Sequence, residues 1–416
     1  MKKNISRTGL VFAVVVLFVG MGFIPSTGQL MISKSDVNEL FSKSIDIDVK
    51  TLYVGGVGEG NYSSIQDAID DADEGYTVFV YADSSPYYEN IVVNVTVDLV
   101  GEDRYTTIID GGGIGHVVVI NVDGVEITGF TIRNSGGLGG TGIRIKSDNN
   151  EIHGNVLSSN NCYGADVFSG SYNTFYDNIV SENDFGMWLE DGFHNSIFDC
   201  EITNNNMGII LDRCSYSNIS GNTITSNSRG IDLYYSSYNE VFKNILDEND
   251  WAIGLYWASV TSGSSSYNVV RKNVVSNNIG GVVLCGKPSC DVSYNVVAEN
   301  NVTNNEGGIM CRYYTSKNEI YHNNLIDNID SRIDEPNNAW DFGNKNYWDN
   351  GEEGNYWDDY TEKYPYARPR LFRPWIWNIP YRIVGDGYIR DRYPLVKQYD
   401  GPGSVVVQRF QSLFNN

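Results

Sequence analysis

The feature that most constrains this chain is an asparagine repeat that runs from about Ser147 to Trp340. Three columns of asparagine, offset from one another by five residues, recur at spacings of 22 to 29 residues, and only Cys200 and Ser217 depart from asparagine. A period in the low twenties is typical of a solenoid, in which each repeat stacks on the previous one. The columns are Asn150, Asn173, Asn195, Ser217, Asn239, Asn268, Asn295 and Asn318; Asn155, Asn178, Cys200, Asn222, Asn244, Asn273, Asn300 and Asn323; and Asn160, Asn183, Asn205, Asn227, Asn249, Asn278, Asn305 and Asn328.

The residues between the columns predict short β-strands. A glycine followed by alternating apolar residues recurs, as in residues 208–211 (Gly-Ile-Ile-Leu) and 230–233 (Gly-Ile-Asp-Leu). No apolar stripe of helical period is long enough to form a helix in the repeats. The predicted fold is therefore all-β, a single parallel β-helix with rungs of about 22 residues.

Asparagine suits the bends between these strands. Its short side chain tolerates the left-handed backbone region, and this reasoning places the column asparagines in the left-handed bends themselves. Identical amides stacked at a strand spacing of about 4.8 Å also form a hydrogen-bonded ladder along the axis. We therefore expect the column asparagines to be structural.

The N-terminus carries a targeting signal. Lys2, Lys3 and Arg7 precede an apolar run from Leu10 to Ile24, which predicts a signal peptide or an N-terminal anchor over residues 1–28. Residues 29–50 are polar and predict a linker. The protein is therefore expected to be exported, and to contact a membrane only through this segment if it is not cleaved.

A short helix is predicted to close the first end of the solenoid. Ser63 or Ser64 is a suitable N-cap, and apolar residues from Ile65 to Ala72 recur at helical spacing. A solenoid needs such a cap because an open rung exposes its apolar core and its strand edges. We assign residues 51–124 to the N-terminal cap and first coils, 125–340 to the asparagine-rich repeats, and 341–416 to a C-terminal cap and tail.

The net charge restricts the possible binding partners, and the cysteine content allows disulfide bonds. The chain has 29 basic and 52 acidic residues and a net charge of −23, which argues against a nucleic-acid partner. Six cysteines are free to pair after export, and Cys285 and Cys290 are close enough in sequence to bridge a loop. The sequence does not determine the pairing, the glycosylation or the oligomeric state.

The opening of the predicted solenoid, with SIQDAIDDADEGYTVFVYADSSPYYENIVVN followed by VDLVGED and TIIDGGG, resembles the pectate-lyase-like superfamily of right-handed β-helices. The asparagine-rich repeats resemble NosD-type proteins, whose domain is also described as a carbohydrate-binding and sugar-hydrolase repeat. The resemblance implies a right-handed β-helix over most of residues 51–397.

The C-terminal section is similar to the ending of NosD-like surface proteins, especially archaeal ones, in its NKNYWDNGEEGNYWDDYTEKYP and IPYRIVGDGYIRDRYPLV segments. The resemblance implies a cap rich in tryptophan and tyrosine. The acidic glycine-rich loop of that pattern is replaced here by residues 367–377, which removes the basis for a calcium site in the loop. The matching positions are Trp348, Tyr356, Trp357, Tyr360, Tyr381 and Tyr393.

Alternation along the glycine-apolar strands predicts one outward face that combines carboxylates with aromatic rings. Aromatic faces stack on sugar rings, and carboxylates accept hydrogen bonds from sugar hydroxyls, so this face is the candidate glycan site. The predicted ligand-binding residues are Trp188, Glu190, Asp212, Asp232, Tyr234, Tyr256 and Trp257.

The same face offers candidate catalytic carboxylates, Glu190, Asp212 and Asp232. Neighbouring Glu190 and Asp212 would suit a retaining glycosidase, whereas Glu190 and Asp232, placed two rungs apart, would suit an inverting one. A polysaccharide lyase would also need a positioned base, for which Arg213 and Arg312 are the nearby candidates.

No metal site is predicted. His116, His153, His194 and His322 fall on different rungs, so they cannot form a copper-binding cluster, and no cysteine or methionine cluster replaces them. The sequence predicts no cofactor, leaves calcium open and does not favour copper.

These observations favour a secreted or cell-surface, non-catalytic protein that binds carbohydrate or polysaccharide. Three alternatives stay open: a polysaccharide hydrolase or lyase that uses the carboxylate face, an accessory protein for a periplasmic copper site, and a structural rod in a surface layer or adhesion.

Overall fold

The computed structural model describes residues 50–257, 263–330, 335–385 and 389–400. The predicted signal peptide or anchor (1–28), all but the last residue of the linker (29–50) and the tail beyond residue 400 lie outside this range. Among the described residues, no helix is long and apolar enough to span a membrane.

The chain forms a right-handed parallel β-helix of about 12 rungs with about 23 residues each, as predicted. Each rung contributes one strand to each of three parallel sheets, which we number in chain order within a rung. Sheet 1 contains Thr51–Val54, Tyr76–Val80, Val97–Gly101, Glu126–Thr128, Glu151–His153, Thr174–Tyr176, Ser196–Phe198, Asn218–Ser220, Glu240–Phe242, Val269–Arg271, Val296–Ala298 and Glu319–Tyr321. Sheet 2 contains Tyr87–Tyr88, Ile108–Asp110, Thr131–Arg133, Val156–Ser158, Ile179–Ser181, Glu201–Thr203, Thr223–Thr225, Ile245–Asp247, Val274–Ser276, Asn301–Thr303, Asn324–Ile326 and Tyr356–Trp357. Sheet 3 contains Ile91–Val93, Val118–Ile120, Thr141–Ile145, Tyr163–Phe168, Phe185–Glu190, Met207–Asp212, Arg229–Tyr234, Trp251–Tyr256, Gly280–Cys285, Gly307–Cys311, Ala339–Asp341 and Val384–Gly385.

The described residues also form shorter elements outside the three sheets. Two α-helices, Ile65–Asp70 and Tyr360–Lys363, and one 3-10 helix, Ala82–Ser84, are present among the described residues. Four two-stranded pairings join Val292–Ser293 to Thr315–Ser316, Ile329–Asp330 to Glu335–Pro336, Pro369–Arg370 to Arg373–Trp377, and Tyr381–Arg382 to Arg390–Asp391.

The helix Ile65–Asp70 covers the first rungs, which confirms the predicted N-terminal cap. Ser64 is its N-cap, and its side chain accepts a hydrogen bond from the Asp67 amide at 3.3 Å. Ile65, Ala68 and Ile69 are buried against the adjacent strands, so the helix shields apolar surface that the open rung would expose.

Column asparagines form three hydrogen-bonded ladders, one at each corner of the β-helix, as predicted. Asn244 is representative: its backbone N–H and its Nδ2 donate to Oδ1 of Asn273 on the next rung, at 3.0 and 3.1 Å. Its Nδ2 also donates to the carbonyl of Ile219 on the preceding rung at 2.9 Å. Each amide therefore joins three consecutive rungs in the buried interior.

The predicted placement of these asparagines in the left-handed bends is wrong. The left-handed conformation belongs to the residue before each column position, for example Tyr238 (φ 61°) before Asn239 and Lys243 (φ 57°) before Asn244. The column residue then points its amide inward to the ladder, so the bend and the ladder use separate residues.

Two repeats are longer than the rest, yet the ladders stay in register. The first-corner asparagines Asn239, Asn268 and Asn295 are separated by 29 and 27 residues and remain hydrogen-bonded to one another. The extra residues follow the sheet 3 strands that end at Tyr256 and Cys285. We call this position, between a sheet 3 strand and the first corner, the insertion seam.

The C-terminal cap continues the stack and contains the predicted aromatic residues. The ladders gain one more step each, to Asn346, Asn355 and Asn338. Trp348 and Trp357 are buried and donate their indole N–H groups to the buried carboxylates of Asp341 and Asp391, at 2.7 and 2.9 Å.

None of the six cysteines forms a disulfide, so the bridge between Cys285 and Cys290 that the sequence allows is not formed.

Candidate functional site

Sheet 3 carries the predicted site because most of its strands in the repeats are six residues long and present three outward side chains per rung. Inward residues such as Met187, Ile209 and Leu233 are fully buried. We call the three outward columns the sheet 3 outer face. In strand register they are Tyr163, Phe185, Met207, Arg229 and Trp251; Asp166, Trp188, Ile210, Asp232 and Gly254; and Phe168, Glu190, Asp212, Tyr234 and Tyr256.

Glu190 and Asp212 are direct neighbours on adjacent strands, but they do not form a free carboxylate pair. Arg213 donates to Asp212 Oδ2 at 3.0 Å, to Asp191 Oδ1 at 2.6 Å, and to Glu190. Burial raises the pKa of Asp212, and the Arg213 charge opposes that rise. One guanidinium therefore pairs with three carboxylates, so the cluster keeps a net negative charge and each of its carboxylates has a cationic partner.

Asp232 is the most buried acidic group of the face, with 1% of the residue exposed. Its Oδ2 accepts from Arg229 at 3.1 Å and from the Tyr234 hydroxyl at 2.9 Å. Among the described residues, its Oδ1 has no hydrogen-bond partner. Burial raises the pKa of Asp232 to about 6, although Arg229 and Tyr234 favour the charged form. A buried carboxylate with an unused oxygen and a raised pKa is typical of functional sites.

Gly254 makes room for the ring that covers Asp232. A Cβ atom at position 254 would overlap the Tyr256 ring and approach Asp232 Oδ1 to 2.5 Å. The Tyr256 ring also stacks on Tyr234, with centroids 5.5 Å apart, and receives the Arg229 guanidinium 5.3 Å from its centroid. Asp232, Arg229, Tyr234 and Tyr256 thus form one packed group.

A second aromatic group lies nearer the N-terminal end of the face. Tyr163 and Phe185 stack with centroids 5.0 Å apart, and Trp188 packs edge-on against both rings. All three side chains are partly exposed, which leaves part of each ring accessible to a ligand.

The structure brings six of the seven predicted ligand-binding residues onto this face, and the seventh, Trp257, follows Tyr256 at its edge beneath the Lys287 ammonium. Glu190 and Asp232 lie two rungs apart and in different columns. Two rungs of 22 residues lead from Glu190 through Asp212 to Tyr234, whereas Asp232 lies in the neighbouring column with Trp188.

Sequence reasoning missed the column formed by Tyr163, Phe185, Arg229 and Trp251. Each of these residues directly precedes the glycine or alanine that begins the inward alternation of its strand, and this shared position was the available signal. Arg213 was considered only as a base, whereas its contacts give it an ion-pairing role.

An exposed aromatic column at the first corner was also missed. Six rings stack at centroid distances of 5.0 to 5.3 Å, and each belongs to the left-handed residue before a first-column position. Stacking occupies both faces of the inner rings, so only their edges meet solvent. This corner aromatic column comprises Tyr172, His194, Tyr216, Tyr238, Tyr267 and Tyr294.

Comparison with known families gives two matches. The right handed beta helix region family matches residues 115–262, and the family described as periplasmic copper-binding protein (NosD) matches residues 256–362. By fold the chain is a right-handed parallel β-helix protein. The two matches together span the repeats and the start of the C-terminal cap, and the similarity to the NosD family concerns residues 256–362. Comparison with curated proteins gives no match.

Solved structures share the fold. An alginate lyase from Paenibacillus sp. str. FPU-7 is 12% identical with a TM-score of 0.51, over 64% of this chain and 99% of that one. DFA-IIIase from Arthrobacter chlorophenolicus A6, in complex with GF2, is 11% identical with a TM-score of 0.53, over 72% of this chain and 93% of that one. At these identities the similarity concerns the fold alone.

The copper ion implied by the NosD description does not fit the described residues. Within them, no group of three histidine, cysteine, aspartate or glutamate side chains is placed to hold a metal ion. His153 contacts Glu126 at 3.1 Å, His322 contacts Glu353 at 2.8 Å, and His194 is stacked in the corner aromatic column. These histidines are on separate rungs and already have partners.

Proposed function

We propose that this chain is an exported or cell-surface NosD-like protein that binds carbohydrate on the sheet 3 outer face without cleaving it. The observation that carries the proposal is the juxtaposition of partly exposed aromatic rings with carboxylates and arginines across consecutive rungs of one face.

The chemistry of the face suits a sugar chain. Aromatic rings such as Trp188 and Tyr256 offer apolar surface to sugar rings, and the polar groups around them exchange hydrogen bonds with hydroxyls. Strands lie about 4.8 Å apart, so five rungs span roughly 20 Å, which is enough for several sugar units. Three arginines (Arg144, Arg213 and Arg229) pair with five carboxylates (Asp166, Glu190, Asp191, Asp212 and Asp232), so the face keeps a negative charge and favours a neutral glycan over an acidic one.

The contacts of Arg213 favour binding over hydrolysis. A retaining glycosidase needs one protonated carboxylic acid and one free nucleophilic carboxylate. Here Glu190, Asp191 and Asp212 all pair with the Arg213 guanidinium. Neither Glu190 nor Asp212 is therefore free to act as acid or nucleophile while these ion pairs are formed.

One observation favours a second candidate, a polysaccharide lyase or hydrolase. The pKa of Asp232 is raised to about 6, its Oδ1 is unused, and Arg229, Tyr234 and Tyr256 surround it. A carboxylate that titrates near neutral pH suits general acid–base catalysis. The similar fold of an alginate lyase is compatible with this candidate.

Location outside the cytoplasm is part of the proposal. The NosD family, whose model matches residues 256–362, is described as periplasmic. Together with the apolar segment near the N-terminus, this description supports export.

A glycan array with the purified protein tests the proposal, and reducing ends and unsaturated products are monitored in the same samples. Trp188→Ala and Asp232→Asn are expected to weaken binding at least about tenfold. Glu201→Gln and Thr225→Val, on the outward side of sheet 2, are the matched controls and should leave binding unchanged.

Binding without products supports a non-catalytic role. Products that disappear in Asp232→Asn would favour the enzyme candidate. The absence of binding and turnover on neutral and acidic polysaccharides would contradict both and leave a structural rod or a copper-accessory role as the remaining explanations.

A further inference from the structure

The hairpin formed by Pro369–Arg370 and Arg373–Trp377 exposes its apolar tip. Leu371 and Phe372 form the turn, with 86% and 89% of their surfaces exposed, and Trp375 is 50% exposed. This concentration of large apolar side chains on one short hairpin differs from the isolated exposed residues elsewhere on the chain, such as Leu138.

The base of the hairpin is fixed to the C-terminal cap. Ile376 is fully buried, and the Trp377 ring stacks on Tyr360 with centroids 4.9 Å apart. The Trp377 amide donates to the Pro394 carbonyl at 2.9 Å. Because the base is anchored, the exposure of the tip is a property of the fold and not of a loose segment.

Three arginines flank the apolar tip, and none of them is neutralised by a carboxylate within the described residues. Arg370 donates to the carbonyls of Trp377 and Arg392, Arg373 donates to the Glu352 carbonyl, and Arg368 donates to the carbonyl of its neighbour Ala367. Their positive charges are therefore available to an anionic partner.

The charge of this region is opposite to that of the whole chain. Residues 366–397 contain six arginines and one lysine against two aspartates, whereas the whole chain has 29 basic and 52 acidic residues. Over the whole C-terminal cap, residues 341–397, nine basic residues balance nine acidic ones, whereas residues 50–340 hold 14 basic and 38 acidic residues. An anionic surface therefore repels the solenoid more strongly than the cap, which favours approach through the hairpin.

We propose that this hairpin docks the protein on an anionic phospholipid surface, with Leu371 and Phe372 inserted among the acyl chains and Arg368, Arg370 and Arg373 on lipid phosphates. Interfacial membrane contacts combine these two elements, apolar side chains below the headgroups and cationic side chains at their level. A soluble polyanion would contact the arginines but not the apolar tip. Because a lipid surface would contact both, we favour it as the occupant.

Cosedimentation of the full chain with vesicles tests this proposal. Vesicles of phosphatidylcholine alone are compared with vesicles that also contain phosphatidylglycerol, at low and high salt. Binding is expected only with the anionic lipid and is expected to fall as salt increases. The double variants Leu371→Ser/Phe372→Ser and Arg368→Gln/Arg373→Gln should each reduce the fraction bound at least about tenfold at limiting lipid.

Matched controls separate the hairpin from the rest of the chain. Leu138→Ser removes an equally exposed apolar residue, and Lys345→Gln removes an exposed charge elsewhere; both should bind like the unmodified protein. Every variant keeps the N-terminal apolar segment with Lys2, Lys3 and Arg7, so binding through that segment is common to all, and the contribution of the hairpin is the difference between each variant and the unmodified protein. An unchanged thermal transition checks that the hairpin variants stay folded.

Two outcomes would overturn the proposal. One is anionic-lipid binding that persists in both hairpin variants. The other is binding to soluble dextran sulfate that matches vesicle binding and is insensitive to Leu371→Ser/Phe372→Ser, because that result would identify the hairpin as a polyanion site.

Discussion

The outer faces of sheet 2 and sheet 3 differ greatly, although the same rungs build both. On the rungs that build the sheet 3 outer face, sheet 2 presents mostly hydroxyl and β-branched side chains together with Glu201 and Asp247, and its outward contacts are simple, such as Thr225 donating to Thr203 at 3.2 Å. Sheet 3 presents tryptophan, tyrosine, arginine and a buried aspartate at the equivalent outward positions. Sheet 2 pairs Arg133 with the buried Asp110 on earlier rungs, but its strands from Val156–Ser158 to Ile245–Asp247 fold without an outward arginine or aromatic ring. The presence of these groups on the same rungs of sheet 3 supports the proposed recognition role.

Both outer faces rest on the same buried asparagine ladders. Of the changes considered, Asn244→Ala, which interrupts a ladder, should lower the stability of the protein most. This change leaves the buried Ile219 carbonyl without its ladder donor and the amide groups of Asn222 without their acceptor. We expect the free energy of unfolding to fall by about 3 kcal/mol in chemical denaturation. Asn206→Ala, at an exposed position, is the control and should change it by less than about 0.5 kcal/mol. Equal effects of the two changes would show that the ladder contributes little.

The effect of Asp232→Asn on folding stability should depend on pH, whereas a change on the outer face of sheet 2 should not. Burial raises the folded-state pKa of Asp232 to about 6, and its unfolded value is about 3.9. The stability contributed by the protonated group is therefore complete below about pH 4 and is lost as the pH rises through 6. The neutral amide of the variant avoids this loss.

The variant is thus expected to be more stable than the unmodified protein by about 3 kcal/mol at pH 8, and equal to it near pH 4. Denaturation curves across this range measure the difference. Thr225→Val on sheet 2 should show no such pH dependence, and a pH-independent effect of Asp232→Asn would refute the burial of a charged group as the cause.

Cys200→Asn tests whether the cysteine at this column position weakens the second asparagine ladder. Asn178 now has a sulfur acceptor 3.9 Å from its Nδ2, in place of the amide oxygen found on other rungs. Restoring asparagine supplies Oδ1 to the side chain and the backbone N–H of Asn178, so we expect a gain of about 1.5 kcal/mol in stability. Cys200→Ala should give no gain, and a loss of stability in Cys200→Asn would mean that the site is too tight for the amide.

Tyr238→Ala should have the smallest effect. The ring stacks on Tyr216 at 5.1 Å and on Tyr267 at 5.0 Å, but it is about half exposed, so we expect a loss below about 1 kcal/mol. Lys243→Ala changes the left-handed residue at the next corner of the same rung and should cost less. Thermal melts compare the stability of the two variants. A larger loss of stability for Lys243→Ala would show that ring stacking does not stabilise the protein.

Much of this molecule was predictable from its sequence. The solenoid, the ladders and the Ser64-capped helix follow from local patterns, since a fixed repeat forces equivalent residues into neighbouring rungs. The same period aligns the outward residues, Glu190 with Asp212 and Tyr234, and Trp188 with Asp232. In contrast, the role of Arg213 depends on side-chain conformation across the rung, which no period specifies.

The insertion seam has a consequence for how proteins of this kind diversify. Extra residues enter the chain after Tyr256 and after Cys285, where sheet 3 strands end, while the ladders keep their phase from Asn239 to Asn295. Loops in solenoids tend to gather on one side in this way. A lineage can therefore acquire a new specificity by gaining or losing residues at the seam, without any compensating change in the residues that hold the rungs together.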